Sequence, residues 1–295
     1  MKNFKIAFTF LILLLSISVC SQQKGVTIKS TKVTDQIYML EGQGGNIGIF
    51  IGEDAVFMID DQFAPLTSKI LEAIKKITPK KVDYLINTHW HGDHTGGNEN
   101  MGKEGTLIIA QENVRKRMSS EYVRRGRTMP ASPKIALPVI TFDKDISFHI
   151  NNDDILATHV HNAHTDGDAL IYFANNNVLH TGDSYFQKGF PYIDLNSGGS
   201  INGYIEGIQK MIVITDDDTK IIPGHGKLSS KAELKTYLKM LITLKDRVLV
   251  EISNGKTLQE VTKNSEITKG YKSNSWWITE EKIRETIYKS LTESK

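Results

Sequence analysis

The sequence predicts an α/β fold, a four-layer αβ/βα sandwich in which two face-to-face sheets are covered by helices on both outer faces. Three observations carry this prediction. Apolar runs of strand length and of helix length follow one another as strand-rich, helical, strand-rich and helical blocks. Composition is ordinary for a globular chain of 295 residues, 39% hydrophobic and 24% charged. The histidines and aspartates of interest stand at strand ends or in the loops that follow them. Sheets layered under helices bury this many apolar strands economically, and loops at one sheet edge are free to converge.

Element by element, the chain opens on a processing segment. Lys2 and Lys5 precede Ile6 to Val19, an apolar run too short to span a membrane comfortably and suited to a secretory signal. Residues 1–20 are therefore expected to be a signal peptide, and residues 24–295 one catalytic domain with a helical C-terminal tail, exported to the periplasm or cell surface. Cys20, the sole cysteine, is either removed with the signal or carries a lipid, the one route to a membrane foreseen; Val19 before it favours simple cleavage. With no second thiol, disulfides contribute nothing.

Val26 to Leu40 reads as strands, and Gly42 to Asn46 as a glycine loop able to flap over a site. Ile47–Ile51 and Ala55–Ile59, joined by Gly52-Glu53-Asp54, form a hairpin. Leu66, Ile70, Leu71, Ile74 and Ile77 have helical spacing and stop before Pro79. Val82–Thr88 and Leu107–Ala110 are strands, Glu112–Tyr122 a basic helix, and residues 124–138 a loop with three prolines. Strands follow at Ile155–His161, Ala169–Phe173 and Val178–His180. A helix at Ile201–Ile214, a strand at Lys220–Ile222 and tail helices at Lys231–Ile252, near Leu258 and at Thr279–Ser290 complete the chain. Trp276-Trp277 is assigned to pinning the tail helix to the core.

The chemistry concentrates in His89-Trp90-His91-Gly92-Asp93-His94. Three imidazoles and a carboxylate in one short loop are costly to hold together unless a divalent metal satisfies them, and this donor set suits zinc or iron. Donors at i, i+2, i+4 and i+5 share no single face of a helix or strand, so they belong to a loop. His89 and His91 with His164 would grip one ion, and Asp93 and His94 with His225 a second. Asp183, whose two oxygens can bind different metals, is the bridge. Asp60, with Asp61 as rival, is a candidate acceptor that orients a ligating imidazole. His159 and His161 are read as strand residues, and His149 and His180 as structural. Gly92, Gly96, Gly97, Gly224 and Gly226 would let backbone pass close to the ions.

The motif His89-x-His91-x-Asp93-His94, followed by His164, Asp183 and His225, resembles the metallo-β-lactamase superfamily over nearly the whole mature chain. The resemblance implies the αβ/βα sandwich, two Zn2+ per chain and hydrolysis. Zinc would be held by His89, His91 and His164 and by Asp93, His94, Asp183 and His225, with a metal-bridging hydroxide attacking a carbonyl and Asp93 orienting the nucleophile or passing on its proton.

Within the superfamily, Asp183 replaces the cysteine of many exported zinc β-lactamases and is similar to the bridging aspartate of glyoxalase II-type thioesterases and lactonases. The stretch Gly189 to Ser200 resembles exported β-lactamase-like hydrolases. The leading expectation is cyclic amide hydrolysis, ahead of lactone or thioester hydrolysis, with an iron-dependent sulfur dioxygenase as the remote alternative and a non-catalytic metal-binding module further behind. Lys188, the nearest lysine after Asp183, is a weak candidate for binding substrate, with Phe190, Tyr192 and Tyr185 as pocket walls. The partner is thus a small molecule. A net charge of +2 gives no field for nucleic acid, and Arg115, Lys116, Arg117, Arg124, Arg125 and Arg127 are read as a solvated helix and loop. The sequence specifies no oligomeric state.

Overall fold

Apolar runs buried on both faces and tight turns build the centre of the first sheet. β1 (Lys29–Lys32), β2 (Ile37–Glu41), β3 (Ile47–Ile51) and β4 (Val56–Ile59) form an antiparallel meander. The turn Gly52-Glu53-Asp54 sets the register Ile51↔Val56. This computed structural model describes residues 25–293 except Arg125 and Trp276, with only the backbone of Arg124. The signal segment, Cys20, Arg125 and Trp276 therefore lie outside the described residues.

α1 (Thr67–Lys75) places Ile70 and Ile74 one turn apart on its buried side and returns the chain to β5 (Tyr84–Asn87), which runs parallel to β4. Two short helices, α2 (Gly92–Thr95) and α3 (Asn98–Lys103), follow the histidine loop and lead to β6 (Leu107–Gln111), parallel to β5. α4 (Glu112–Met118) ends at Met118, four residues short of Tyr122, because the chain then turns into a small hairpin, β7 (Tyr122–Arg124) and β8 (Arg127–Met129). The stretch expected to be a plain loop over 124–138 thus begins inside a two-stranded sheet. β9 (Ile140–Phe142) closes the seven-stranded sheet beside β6.

The second sheet has five strands: β10 (Asp145–Ile150), β11 (Asp153–Val160), β12 (Asp168–Phe173), β13 (Val178–His180) and β14 (Lys220–Ile222). The first four pair antiparallel in turn, and β13 and β14 run parallel. β9 and β10 were not foreseen. Both are edge strands, exposed or half-exposed along most of their length; β9 is too short to show a period, whereas Asp145–Ile150 alternates polar and apolar residues as a half-exposed strand does and was legible.

Between the sheets lie Ile37, Phe50, Phe57, Ile86 and Ile109 from the first and Ile155, Ile171, Phe173, Val178 and Ile222 from the second. Phe50 meets Phe173 edge-on at 5.1 Å. The outer face of the first sheet buries Leu40, Ile49, Met58 and Leu85 against Ile70 and Ile74 of α1. On the other side Leu170, Leu179 and Ile221 meet the helices α5 (Ile201–Ile214), α6 (Lys231–Ser253), α7 (Leu258–Lys263) and α8 (Glu280–Thr292). Helix, sheet, sheet, helix is the predicted four-layer order. Among the described residues no helix is long and apolar enough to cross a membrane.

Candidate metal centre

Strand direction brings the polar residues to one edge. β4 and β5 are parallel, so Asp60 and the loop from Thr88 leave the first sheet at the same end. In the second sheet β13 and β14 are parallel, which aligns the loops that carry Asp183 and His225. β11 runs antiparallel to β12 with Val160 opposite Asp168, so the connection holding His164 returns to that edge as well. All seven predicted donors meet there.

They form two groups. The donor atoms of His89, His91, His164 and Asp183 lie within 4.8 Å of one another, and those of Asp93, His94 and His225 form a second such set. Asp183 touches both. Its Oδ2 lies 3.9 Å from His89 Nε2 and 3.6 Å from His164 Nε2, and its Oδ1 lies 3.1 Å from His94 Nε2 and 3.4 Å from His225 Nε2. Asp93 Oδ2 is 3.4 Å from His225 Nε2.

Each inner histidine donates its outward proton to a fixed acceptor. Asp60 Oδ2 accepts from His94 Nδ1 and from Thr88 Oγ1, both at 2.7 Å, and Asp60 Oδ1 accepts from the Thr88 amide at 2.7 Å. Thr88 Oγ1, its proton given to Asp60, accepts from His89 Nδ1 at 3.1 Å. His91 Nε2 donates to Asp194 Oδ2 at 2.9 Å, and His164 Nδ1 to the Tyr192 carbonyl at 2.7 Å. The lone pairs of His89 Nε2, His91 Nδ1 and His164 Nε2 therefore point inward, and so does His94 Nε2, whose proton a bound metal would displace. His91 Nδ1 and His164 Nε2 stand only 2.9 Å apart.

The centre is thereby built for cations. His89 Nε2, His94 Nε2 and Asp183 Oδ1 are buried without hydrogen-bond partners; His94 Nε2 approaches Asp183 at 3.1 Å but lacks hydrogen-bond geometry. Burying unpartnered polar atoms costs roughly 1–3 kcal/mol each, and convergent lone pairs repel. A bound metal removes both penalties.

Electrostatics divide the groups in the same way. Burial drives His89 well below the usual imidazole range, and burial with His91 nearby takes His164 down to about 4, so both stay neutral as ligands must be. Burial opposes charge on Asp183 and Asp93, but His225 and His94 pull Asp183 well down, and His94 and His225 bring Asp93 to about 2. Against burial, Asp183 and its carboxylate neighbours raise His94 and hold His225 at about 9.

Two glycines make room. A methyl group on Gly45 would sit 2.1 Å from His94 Cε1, and one on Gly224 would sit 2.1 Å from Asp183 Oδ1. The loop Gly42 to Asn46 is accordingly no flap: Gly45 N donates to the Asp93 carbonyl at 3.1 Å, Asn46 N to Gly224 at 2.7 Å, and Gln62 Nε2 to Gly45 at 2.7 Å. Glycine at 92, 96 and 97 serves other ends than the one foreseen. A Cβ at Gly92 would meet open space, whereas Gly96 clears the carbonyls of Gly92 and Gln62, and Gly97 clears the side chain and carbonyl of Asp61. Asp61, the rival to Asp60, instead accepts from the Gly97 amide at 2.9 Å and faces no donor histidine.

Several side chains fall elsewhere than expected. Phe190 is only 2% exposed and packs with Tyr204 in the helical core, and Tyr185 is as deeply buried, with its hydroxyl on Ser229, so neither walls an open cleft. Lys188 is exposed. Tyr192 does border the centre, its ring 5.9 Å from His91 and 5.6 Å from His164. Trp277 is not itself buried in the core: it is 48% exposed and lies 5.0 Å from the Tyr192 ring, which packs on the helical core. Arg117 is engaged rather than merely solvated, with a bidentate pair to Asp166 at 2.6 and 2.7 Å and its guanidinium over Trp90. Arg115 donates to the Pro138 carbonyl. His159 bonds the Asp168 carbonyl, exposed His149 pairs with Asp154, and His180 holds the Asn46 carbonyl and the Gly182 amide.

The sequence reading missed Asp194, which holds His91, and Phe186, which stacks on His225 at 5.2 Å. Asp194 stands in a run Asp194-Leu195-Asn196-Ser197 that reads as a capped turn, and it does accept from Ser197 N; nothing local marks its second partner.

Comparison with known proteins shows the family and the fold. The model of the metallo-beta-lactamase superfamily matches residues 40–225. A beta-lactamase-like protein 2 homolog of Caenorhabditis elegans is 23% identical over 80% of this chain and 74% of its own length. A hydroxyacylglutathione hydrolase of Pelagibacter ubique is 28% identical over 54% of this chain, which spans 58% of that relative. Among solved structures, a metallo-beta-lactamase from Pontibacter korlensis superposes with a TM-score of 0.61 at 17% identity, covering 73% of this chain and 99% of that one.

Proposed function

Because the chain belongs to the metallo-beta-lactamase superfamily, and is on that footing a metal-dependent hydrolase, we propose that it is an exported two-zinc enzyme that opens a cyclic amide, as in β-lactams. The observation that carries the two-metal reading is the division of Asp183, whose Oδ2 faces one donor group and Oδ1 the other. His89, His91 and His164 would hold the first ion and Asp93, His94 and His225 the second, with Asp183 reaching both. Export is supported by Lys2, Lys5 and the apolar run Ile6–Val19.

When bound, zinc supplies a water acidified enough to be hydroxide near neutral pH and a Lewis acid for the carbonyl oxygen. The protein does the rest by position. Asp60, Thr88, Asp194 and the Tyr192 carbonyl fix all four inner imidazoles in one tautomer, so no reorganisation is needed during reaction. Asp93 is 30% exposed, His225 33% and His91 18%, so the cluster opens along these three side chains. There Asp93 Oδ2 would take up the proton that the water gives up and deliver it to the departing nitrogen. Burial of Asp183, His89 and His164 excludes bulk water from the floor of the centre.

A second reading, thioester hydrolysis, is favoured by the carboxylate at the bridging position and by the hydroxyacylglutathione hydrolases among the relatives. One experiment separates them. Purified protein is analysed for metal by mass spectrometry and assayed with nitrocefin, a lactone and an S-hydroxyacylglutathione. Zinc near two per chain with lactam turnover is expected. Thioester turnover without lactam cleavage above the metal-free control transfers the assignment to the second reading, and one iron per chain with oxygen uptake overturns hydrolysis altogether.

A further inference from the structure

We propose that Trp277, supplied by the C-terminal tail, forms with Tyr192 an aromatic wall beside the first donor group, and that this wall selects substrates with a planar aromatic substituent near the scissile carbonyl. The proposal deepens the hydrolase reading and rests on it for the identity of the reacting group.

Tyr192 stands within 6 Å, centroid to centroid, of both His91 and His164. Trp277 continues the row, its ring 5.0 Å from Tyr192 and tilted by 57°. Tryptophan is highly buried on average, and an exposed one forfeits a large apolar contact. Here 48% of Trp277 stays open to solvent although its neighbour Ile278 is buried in the helical core.

The exposure is built in. Ser273 N donates to Glu280 at 2.8 Å, Ser275 N to Ser273 Oγ at 3.0 Å and Trp277 N to Ser275 Oγ at 3.2 Å, which fixes the turn that presents the ring. The same turn abuts the loop that carries Tyr192: a Cβ on Gly189 would lie 2.8 Å from Asn274 N. Trp277 lies beyond the matched residues 40–225, so the tail adds this wall to a core that the superfamily shares. An apolar surface with one polar cluster at its foot is the ordinary make-up of a small-molecule site, and offset or edge-on contact with an aromatic ring suits two tilted faces.

The test uses two hydrolysis-resistant probes, phenylacetylglycine and acetylglycine, titrated calorimetrically into the full-length zinc-loaded protein and into W277A and W277F. The wild type is expected to bind the phenylacetyl probe at least tenfold more tightly, W277A to lose that preference, and W277F to keep most of it. Circular dichroism melts confirm that both variants are folded, and W277F keeps the test valid if W277A is not. Equal binding of the two probes by wild type, or a preference untouched in W277A, overturns the proposal. Failure of the whole substrate panel together with a retained probe preference would remove the hydrolase reading and leave the wall standing.

Discussion

Replacing Asp60 with asparagine isolates the contribution of one buried hydrogen bond to metal binding. Asp60 sits at φ 60°, a left-handed conformation in which Asn and Asp are the best tolerated non-glycine residues, so the exchange imposes no backbone strain. Its carboxylate takes three hydrogen bonds, each 2.7 Å long, from the Thr88 amide, Thr88 Oγ1 and His94 Nδ1. An amide has one acceptor oxygen. If that oxygen keeps the Thr88 amide, the new NH2 faces two donors. His94 then relieves the clash by moving its proton from Nδ1 to Nε2, the nitrogen that points at Asp183. The lone pair meant for the second ion is gone. Losing such a support typically costs 10- to 100-fold in metal affinity, about 1.4–2.8 kcal/mol. The assay is a competitive titration against a chromophoric chelator, resolving two binding steps. We expect the weaker step of D60N to fall in that range while the step assigned to His89, His91 and His164 shifts little. Two wild-type steps in D60N would refute the tautomer argument, and equal weakening of both would show that Asp60 acts through the fold.

Other consequences follow from the same geometry. G45A places a methyl 2.1 Å from His94 Cε1, 1.3 Å inside ordinary contact at 3.4 Å (3.4 − 2.1), so it should displace the ring and leave about one ion per chain by mass spectrometry; two ions at wild-type affinity would contradict this. D183A severs the link between the groups and should lower turnover by at least about 10²-fold, beyond what a supporting residue costs, whereas unchanged turnover removes the two-metal mechanism. Zinc binding should expel protons: His225 at about 9 and the raised His94 carry protons at pH 7, while Asp93 at about 2 does not. Affinity should therefore rise as pH climbs towards 9 and fall on acidification, and calorimetry in two buffers of different ionisation enthalpy should give a net release; zero release would show that the cluster is neutral before the metal arrives.

What was legible in the sequence is what a cation demands by residue type. Imidazoles and carboxylates crowded into residues 89–94 admit few explanations, and His164, Asp183 and His225 each follow a recognisable strand. The same logic reached Asp60, because the end of a strand adjoining the metal loop is where a histidine's outer proton finds an acceptor. Residue type fails where the partner is common and distant. Asp194 meets His91 across 103 positions, and its local signature is that of any turn cap. Phe190 and Trp277 illustrate the other failure: both are large aromatics near the site in sequence or space, and the chain sends Phe190 into the core and Trp277 to the surface. That choice is made by the Ser273–Ser275 hydrogen bonds and by the packing of tail helices on the second sheet, neither of which has a period or a motif. Chemistry that must be satisfied anywhere is written in composition and spacing. Shape that selects one substrate over another is written in how distant segments happen to meet, as Trp277 meets Tyr192 where the tail reaches the metal edge.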